Sequence, residues 1–300
     1  MKFAPIVLFT YNRPWHTKQT VESLKRNDLA KDSELYIFSD APRSSSDVHK
    51  VEEVRGYLDA IDGFKSISIV KRDSNFGLAK SIVSGVTQIV SEFEKVIVLE
   101  DDIVSSPYFL QYMNDALNMY ENDEQVMHIS GHFFPVDTDS LPDTFFYGQA
   151  SCWGWATWKR AWQHYNNDAL HLCREIEGSG ERWKFNIDGG MSFFSTLKAN
   201  AKGQINTWAV KWQASIFLEN GLCLHPKMSF TRNIGLDSSG VHCSNTKVFD
   251  VNVTSHDLKL SRINLEESVK AREIMKNFYK SIEPSFATKL VNKIQMIIGK

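Results

Sequence analysis

The chain has 300 residues, of which 42% are hydrophobic and 23% charged, with a formal net charge of −2. This composition is ordinary for a globular protein with a sizeable core, and the charge gives no support for a nucleic-acid partner. The four cysteines form no C-x-x-C pair, which disfavours zinc, redox and disulfide frameworks and favours a reducing cytoplasm. We identify no signal-peptide pattern at the N-terminus and no run approaching ~18 apolar residues. We therefore expect a cytoplasmic protein without a membrane span.

Apolar runs alternate with helical patterns along the first half of the chain. We interpret the apolar runs as strands at 5–10, 35–38, 67–70, 96–99 and 126–130. Amphipathic helical patterns follow the first four of them, at 16–26, 48–61, 78–93 and 107–120. Four successive βα units with buried, non-alternating strands predict an α/β fold, with a mainly parallel sheet covered by helices on both faces. After about residue 145 the pattern changes to that of a smaller mixed lobe.

Polar residues cluster where these predicted strands end. Because the carboxyl ends of parallel strands lie side by side, we expect these residues to line one crevice. The set comprises Thr10, Tyr11, Asn12, Arg13, Ser39, Asp40, Arg72, Asn75, Gly77, Glu100, Asp101 and Asp102. Neither G-x-G-x-x-G nor G-x-x-x-x-G-K-[ST] occurs, which disfavours a dinucleotide dehydrogenase and a P-loop NTPase. We expect the crevice to hold a nucleotide's phosphates through a metal.

The acidic triplet Glu100-Asp101-Asp102 follows the fourth predicted strand directly. Adjacent carboxylates repel one another unless a cation lies among them, so a divalent metal is a natural partner. Oxygen ligands favour Mg²⁺ or Mn²⁺ over zinc. The alternative interpretation is a solvated acidic turn.

Two features of the second half have two interpretations each. Seven of the eight tryptophans lie between 153 and 212; they form either an aromatic core or, in part, an apolar platform on which a sugar stacks. The polar, glycine-containing stretch at 233–242 is either a loop that closes over a ligand or an ordinary surface connection.

Several segments carry a resemblance to a known family. The segments are 5–14 (PIVLFTYNRP), 37–40 (IFSD), 75–79 (NFGLA), 96–102 (VIVLEDD), 153–158 (WGWATW) and the loop at 233–242. Together they resemble the GT-A fold of nucleotide-sugar-dependent glycosyltransferases, in particular the bacterial family 2-like enzymes. The triplet is similar to the Glu-Asp-Asp version of the GT-A Asp-x-Asp motif in N-acetylglucosaminyltransferase I. The resemblance covers roughly residues 3–245.

The resemblance implies roles for individual residues. Asp40 would accept a hydrogen bond from the imide of uracil, and Asp102 would bind Mn²⁺ or Mg²⁺ directly. Glu100 and Asp101 would contact the ribose or the donor sugar, and His242 would be a second metal ligand. The residues expected to line the nucleoside and diphosphate are Phe9, Thr10, Tyr11, Asn12 and Arg13, with Arg13 near the phosphates and Arg72 on the same cofactor-binding side.

The implied reaction is an inverting displacement in which a carboxylate takes the proton of an acceptor hydroxyl. The family pattern places an acid near 206–209, but this chain has Asn206, and an amide is no base. Asp188 and Asp237 are the alternative base candidates. A GT-A module that binds nucleotide sugars without turnover is the alternative function. By analogy the donor is a UDP-sugar such as UDP-GlcNAc, and the acceptor a glycan of a cell-surface polysaccharide or a lipid-linked oligosaccharide.

We divide the chain into a donor-binding half (1–145), an acceptor-binding half of the same domain (146–250) and a helical C-terminal appendage (251–300). A predicted helix near the C-terminus carries an apolar stripe. This stripe would dock on the core, form a homodimer interface, or lie on an anionic membrane at the inner face of the cell membrane. Its residues are Phe286, Leu290, Ile294, Ile297 and Ile298.

Overall fold

The computed structural model describes residues 3–237 and 246–282. Its strands are β1 (Ile6–Thr10), β2 (Glu34–Ser39), β3 (Ser66–Lys71), β4 (Lys95–Glu100), β5 (Ile103–Ser105), β6 (Val126–Ser130), β7 (Thr144–Tyr147), β8 (Trp155–Trp158), β9 (Leu222–Pro226) and β10 (Thr231–Asn233). Its helices are α1 (Pro14–Lys25), α2 (Val48–Leu58), α3 (Leu78–Phe93), α4 (Phe109–Met119), α5 (Lys159–Trp162), α6 (Ala169–Gly178), α7 (Arg182–Phe185), α8 (Phe193–Ala201), α9 (Ala209–Leu218) and α10 (Val269–Ile282).

Eight strands form one sheet in the order β3-β2-β1-β4-β8-β6-β9-β7. The strands β3, β2, β1 and β4 are mutually parallel, and β6 is parallel to β9. The strand β8 is antiparallel to both of its neighbours, and β7 is antiparallel to β9 at the edge. The predicted α/β fold with a mainly parallel sheet is therefore confirmed, with two antiparallel strands that both come from after residue 143.

Successive side chains of β1 enter two different cores. Ile6 and Leu8 pack with α1, α2 and α4 on one face, whereas Val7 and Phe9 pack with α3 and α9 on the other. This alternation is the ordinary geometry of a strand covered on both faces. The expectation of burial on both faces is wrong for β3, where Ser68 and Val70 are exposed, because β3 is the edge strand and no helix covers that face.

Five tryptophans are core residues, which confirms the first interpretation for them: Trp155, Trp158, Trp162, Trp208 and Trp212. The strand β8, which carries two of them, lies between β4 and β6, so both halves of the chain build one sheet. Trp15 and Trp183 are exposed, and Trp153 is partly buried.

A small second sheet positions the segment that follows β10. The strand β10 pairs antiparallel with β5, with Asn233 opposite Ile103. Since Ile103 comes directly after the acidic triplet, this pairing carries residues 234–237 to the carboxyl end of β4. Residues 238–242 of the predicted loop at 233–242, His242 included, lie outside the described residues.

The helix α10 docks on the core. Its buried residues Ala271, Met275 and Tyr279 pack with Phe133 and Phe145. The Tyr279 hydroxyl also donates to Gln149 Oε1 at 2.7 Å. The apolar stripe from Phe286 to Ile298 lies outside the described residues. In the part of the chain that the structure covers, no helix combines the length and the apolar character needed to cross a bilayer.

Candidate functional site

The carboxyl ends of β2, β1 and β4 lie next to one another in the sheet. Thr10 pairs with Ser39 on one side, and Phe9 pairs with Glu100 on the other. The structure therefore brings the polar residues that follow these strands together at one edge, as parallel pairing requires.

Two acids of the triplet are almost closed to solvent, whereas Glu100 is partly exposed. Asp101 and Asp102 are 4% and 5% exposed. Burial, followed by the charges of Asp102 and Asp101, raises the pKa of Glu100 to about 8. Burial also raises the pKa of Asp101, although the guanidinium of Arg13 opposes this. Carboxyl groups this close and this buried cannot all ionise unless cations compensate them.

Arg13 is a cation within this cluster. Its Nη2 donates to Asp102 Oδ2 at 2.9 Å and also to Asp101 Oδ1. Burial lowers the pKa of Arg13, but the charges of Asp101 and Asp102 outweigh burial and raise it. Arg13 was expected near the phosphates of a donor, and the structure places it on two of the three acids.

Asp102 has one oxygen without a partner. Its Oδ1 is buried and accepts no hydrogen bond from the residues that the structure describes, whereas its Oδ2 accepts from Arg13. A buried carboxylate oxygen without a donor is costly unless a cation compensates it, so Asp102 fits a metal ligand. Within residues 3–237 and 246–282, no group of three or more His, Cys, Asp or Glu side chains converges on a metal site. A metal held here would therefore take most of its ligands from outside these described residues.

Thr10 Oγ1 and Arg72 Nε at these strand ends are also buried and have no hydrogen-bond partner within the described part of the chain. The Arg72 guanidinium stacks 3.9 Å from the ring centroid of Phe76, and burial lowers its pKa. Phe9 packs on Phe38 with ring centroids 5.5 Å apart and belongs to the core. Thr10 and Arg72 thus keep capacity for a ligand at the crevice.

The carboxylate of Asp40 is fully engaged within the chain. Its Oδ1 accepts from the backbone N–H groups of Ala41 and Phe76, both at 2.9 Å. Its Oδ2 accepts from Gly77 N at 2.8 Å and from Asn75 Nδ2 at 3.2 Å. A carboxylate has about four acceptor positions, so Asp40 anchors the turn before α3. The imide of a uracil would have to replace one of these donors.

Tyr11 and Asn12 are held by Asp47, which sequence reasoning missed. The Tyr11 hydroxyl donates to Asp47 Oδ2 and Asn12 Nδ2 donates to Asp47 Oδ1, both at 3.0 Å. The Tyr11 hydroxyl also accepts from Arg43 N at 2.9 Å. The feature of the sequence that could have pointed to Asp47 is its position directly after the serine run 44–46 and before α2.

The segment after β10 contacts the triplet directly. Ile234 N donates to the backbone oxygen of Asp102 at 2.8 Å. Gly235 lies so close that a Cβ there would overlap Asp102 Oδ2 and lie 2.7 Å from Arg13 Nη1. Asp237, one of the two base candidates, therefore reaches the same edge of the sheet as Asp102.

His16 pairs with Asp237 and was also missed. Its Nε2 lies 3.1 Å from Asp237 Oδ2, and the carboxyl side chain stays 47% exposed. His16 lies in the first turn of α1, three residues after Arg13. That helical spacing from Arg13 is the signal that could have pointed to it.

Asp188, the other base candidate, lies against α10. Arg272 Nε donates to Asp188 Oδ2 at 2.8 Å, and Arg272 Nη1 donates to Glu267 Oε1 at 2.9 Å. The bond from Arg272 holds the pKa of Asp188 below its ordinary value. A carboxylate with a lowered pKa in an ion pair is a poor proton acceptor.

Three further buried histidines lie in or directly after β6 and β9, and they were not predicted. Burial lowers the pKa of His128 and of His132 to about 3 and that of His225 to about 4. His132 follows β6 and lies edge-on to Trp153, with ring centroids 4.7 Å apart. Neither ring nitrogen of His132 has a hydrogen-bond partner.

The comparisons with known proteins agree with this geometry. The family described as Glycosyl transferase family 2 matches residues 6–173, more than half of the chain. No curated protein matches the chain.

Two solved structures are weakly similar. TarS of S. aureus has 19% identity and a TM-score of 0.31, covering 43% of this chain and 21% of TarS. The mannosyltransferase PcManGT of Pyrobaculum calidifontis, solved with GDP-Man and Mn²⁺, has 10% identity and a TM-score of 0.44, covering 73% of this chain and 69% of that protein. The chain thus spans about a fifth of the length of TarS. With the family match over both the strand ends and the acidic triplet, the chain belongs to glycosyltransferase family 2.

Proposed function

We propose that this chain is a metal-dependent, inverting glycosyltransferase that uses a nucleoside-diphosphate sugar. The observation that carries the proposal is Asp102, whose buried Oδ1 lacks a partner at the carboxyl end of β4. Arg13, Thr10 and Arg72 lie at the ends of the neighbouring strands and supply donors for a nucleotide. The family match supports the activity.

Asp102 would hold Mn²⁺ or Mg²⁺ together with oxygens of the donor diphosphate, with His242 as our candidate second ligand. A metal bound there neutralises the charge that develops on the leaving diphosphate. Arg13 is close enough to Asp102 to share that charge, and Glu100 and Asp101 are our candidates for contacts with the ribose or the sugar. By analogy, we favour a UDP-sugar such as UDP-GlcNAc as the donor.

Asp237 is our preferred catalytic base. It lies with His16 at the edge where Asp102 and Arg13 meet, and its carboxyl group is half exposed to an incoming hydroxyl. The hydrogen bond from His16 would orient the carboxylate that accepts the proton. We propose that Asp188 instead holds α10 through Arg272.

The binding test is calorimetric titration of UDP and GDP in Mn²⁺ and in EDTA. We expect UDP to bind in Mn²⁺, and the Asp102→Asn variant to lose at least about tenfold in affinity because a neutral amide is a weaker metal ligand. Asp139→Asn, which alters an exposed acid, is the control and should bind like the wild type. Equal nucleotide affinity in Mn²⁺ and EDTA would overturn the metal dependence.

A nucleotide-sugar-binding module without turnover is the second candidate, favoured by Asn206 at the position where the family pattern has an acid. Release of UDP from UDP-sugars in the presence of Mn²⁺ discriminates the two. Binding with no release, with or without an acceptor, would favour the module.

We propose that the acceptor is a glycan of a cell-surface polysaccharide or of a lipid-linked oligosaccharide. We also propose that the protein is cytoplasmic, and that residues after 282 contact the inner face of the membrane or a second copy of the chain. Co-sedimentation with anionic liposomes should be stronger for the full chain than for a chain shortened to end near residue 283. Equal co-sedimentation would remove the membrane contact.

A further inference from the structure

A groove of about 560 Å³ runs along the solvent-facing side of α3. Its lining consists of Ala79, Lys80, Val83, Ser84, Thr87, Gln88, Asn167 and Asn206. None of these residues is an acid, and six of the eight are polar. The groove begins beside the turn that Asp40 anchors, and Ser84 in its wall accepts from Arg72 Nη2 at 3.1 Å. It therefore lies next to the crevice that we assign to the donor.

Lys211 lies behind this groove and is only 5% exposed. Its Nζ donates to Asn167 Oδ1 at 2.6 Å and to Asn206 Oδ1 at 3.4 Å. Burial lowers the pKa of Lys211, and no carboxylate among the described residues pairs with it. Amide oxygens accept the hydrogen bonds of a buried ammonium but do not neutralise its positive charge.

The hydrogen bonds from Lys211 determine the orientation of the amide groups of Asn167 and Asn206. Because Lys211 takes the Oδ1 atoms of Asn167 and Asn206, the Nδ2 groups are the parts of these exposed side chains left for a ligand. Thr87 Oγ1 already accepts from Trp162 Nε1 at 2.9 Å, so its hydroxyl hydrogen is also available to donate. With the ammonium of Lys80, the groove presents donors and positive charge, and no acid.

We propose that this groove binds a sugar unit of the acceptor that carries a carboxylate, as in a uronic-acid-containing glycan. The proposal rests on the proposed glycosyltransferase function. Two amide Nδ2 groups and one hydroxyl match the oxygens of a carboxylate, and the single buried ammonium matches its single charge. Lys211 is a positioning residue, because it orients the two amides and contributes positive electrostatic potential. Lys80, Asn167 and Asn206 contact the ligand.

The test is calorimetric titration of the full chain with a galacturonic acid tetrasaccharide and with its methyl ester. We expect the acid to bind at least about tenfold more tightly than the ester, and the advantage to shrink with added salt. An ester that binds as tightly as the acid would overturn the proposal. So would a phosphate-bearing oligosaccharide that binds more tightly than the uronate.

Two variants test the assignment of residues. Asn167→Asp places a carboxylate at an exposed position of the groove. It should weaken binding of the acid about tenfold and leave binding of the ester nearly unchanged. Lys211→Met releases both amides and should remove the preference for the acid. Asn122→Asp and Lys50→Met make the same charge changes at exposed positions elsewhere, and should leave the preference intact. Loss of the preference in these controls would overturn the assignment to the groove.

UDP titration on the same samples separates this inference from the proposed function. UDP binding in Mn²⁺ without a preference for the uronate overturns only the groove. Uronate binding that depends on Lys211 without any UDP binding supports the groove and overturns the glycosyltransferase proposal.

Discussion

Arg13 and Asp102 share one hydrogen bond of 2.9 Å that uses only one oxygen of the carboxylate. The other oxygen, Oδ1, is buried and has no donor. The same guanidinium also binds Asp101, so one cation compensates two buried acids. Arg13 thus holds the cluster together, and the remaining oxygen of Asp102 is where we propose that a further cation binds.

Removing the Arg13 guanidinium should destabilise the folded protein, because the acids of the triplet then repel one another without a compensating cation. We expect Arg13→Gln to lower the free energy of unfolding by about 3 kcal/mol at pH 7, because it leaves two buried carboxylates unpaired. Urea unfolding measures the loss, and Arg26→Gln at the exposed residue that follows α1 is the control. The loss should be smaller at pH 5, because burial raises the pKa of Asp101 and protonation removes its unpaired charge. A loss as large at pH 5 as at pH 7 would contradict this account.

Gly235 should not tolerate a side chain. We expect Gly235→Ala to cost about 2 kcal/mol in stability, since its Cβ would overlap the buried Asp102 carboxylate. The same substitution should weaken UDP binding in Mn²⁺ because Asp102 has to move. Gly56→Ala in α2 is a matched control: a Cβ at 56 has no atom within 4 Å, so this change should stabilise the protein by about 0.5–1 kcal/mol. Similar melting temperatures for the two variants would refute the contact.

The two base candidates should separate by their effects on kcat and on stability. We expect Asp237→Asn to lower kcat for sugar transfer by about 100-fold with little change in melting temperature, because it removes the proton acceptor. Asp188→Asn should leave kcat close to that of the wild type and lower the melting temperature, because it weakens the pair with Arg272. The reverse pattern would reassign the base to Asp188.

Arg272 should be the residue that fastens α10 to the rest of the chain. Its side chain is 13% exposed and pairs with both Asp188 and Glu267. We expect Arg272→Met to lower the free energy of unfolding by about 2 kcal/mol, because two partly buried carboxylates lose charged donors. Arg262→Met breaks the pair of the 53%-exposed Arg262 with Asp123 and should cost less than about 1 kcal/mol. Urea unfolding of both variants provides the comparison, and equal losses would show that burial of the pair does not matter.

His132 should make stability depend on pH. Burial lowers its pKa from 6.5 to about 3. Between these two pH values His132 is protonated in the unfolded chain and neutral in the folded chain. Its contribution to stability is full above pH 6.5 and is lost as the pH falls towards 3, at about 1.4 kcal/mol per pH unit. His132→Phe removes this term and two unpaired nitrogens, so its stability relative to the wild type should rise between pH 7 and pH 5. His49→Gln, at an exposed position, is the control and should show no such trend. If the stability difference between His132→Phe and the wild type did not change with pH, His132 would have a hydrogen-bond partner.

Local patterns were enough to predict the donor half of the fold. The strands β1 to β4 and β6 and the helices α1 to α4 lie close to their predicted positions, because long apolar runs and helical stripes report burial directly. The convergence of Thr10, Asp40 and Asp102 followed from the parallel order alone. The family resemblance, carried by the strand-end motifs, is confirmed at the level of family 2, whereas the specific similarity to N-acetylglucosaminyltransferase I stays a prediction.

Contacts between distant segments could not be predicted in the same way. The insertion of β8 between β4 and β6, the pairing of β10 with β5 and the docking of α10 all join residues far apart in the chain, and no local periodicity encodes such pairings. For the same reason Asp47, His16, His132 and Lys211 went unnoticed: each is ordinary in its own segment and acquires its role from a partner elsewhere.

The order of apolar runs and the acids at a strand end were therefore sufficient to assign the α/β class and the edge of the sheet where these polar residues converge, because strand direction alone brings those ends together. The tertiary structure decided which oxygen of Asp102 is left for a cation, which acid meets His16 and which meets Arg272, and how Lys211 turns two amides outward. These depend on burial and on hydrogen-bond partners, which are properties of the packed chain rather than of any one segment.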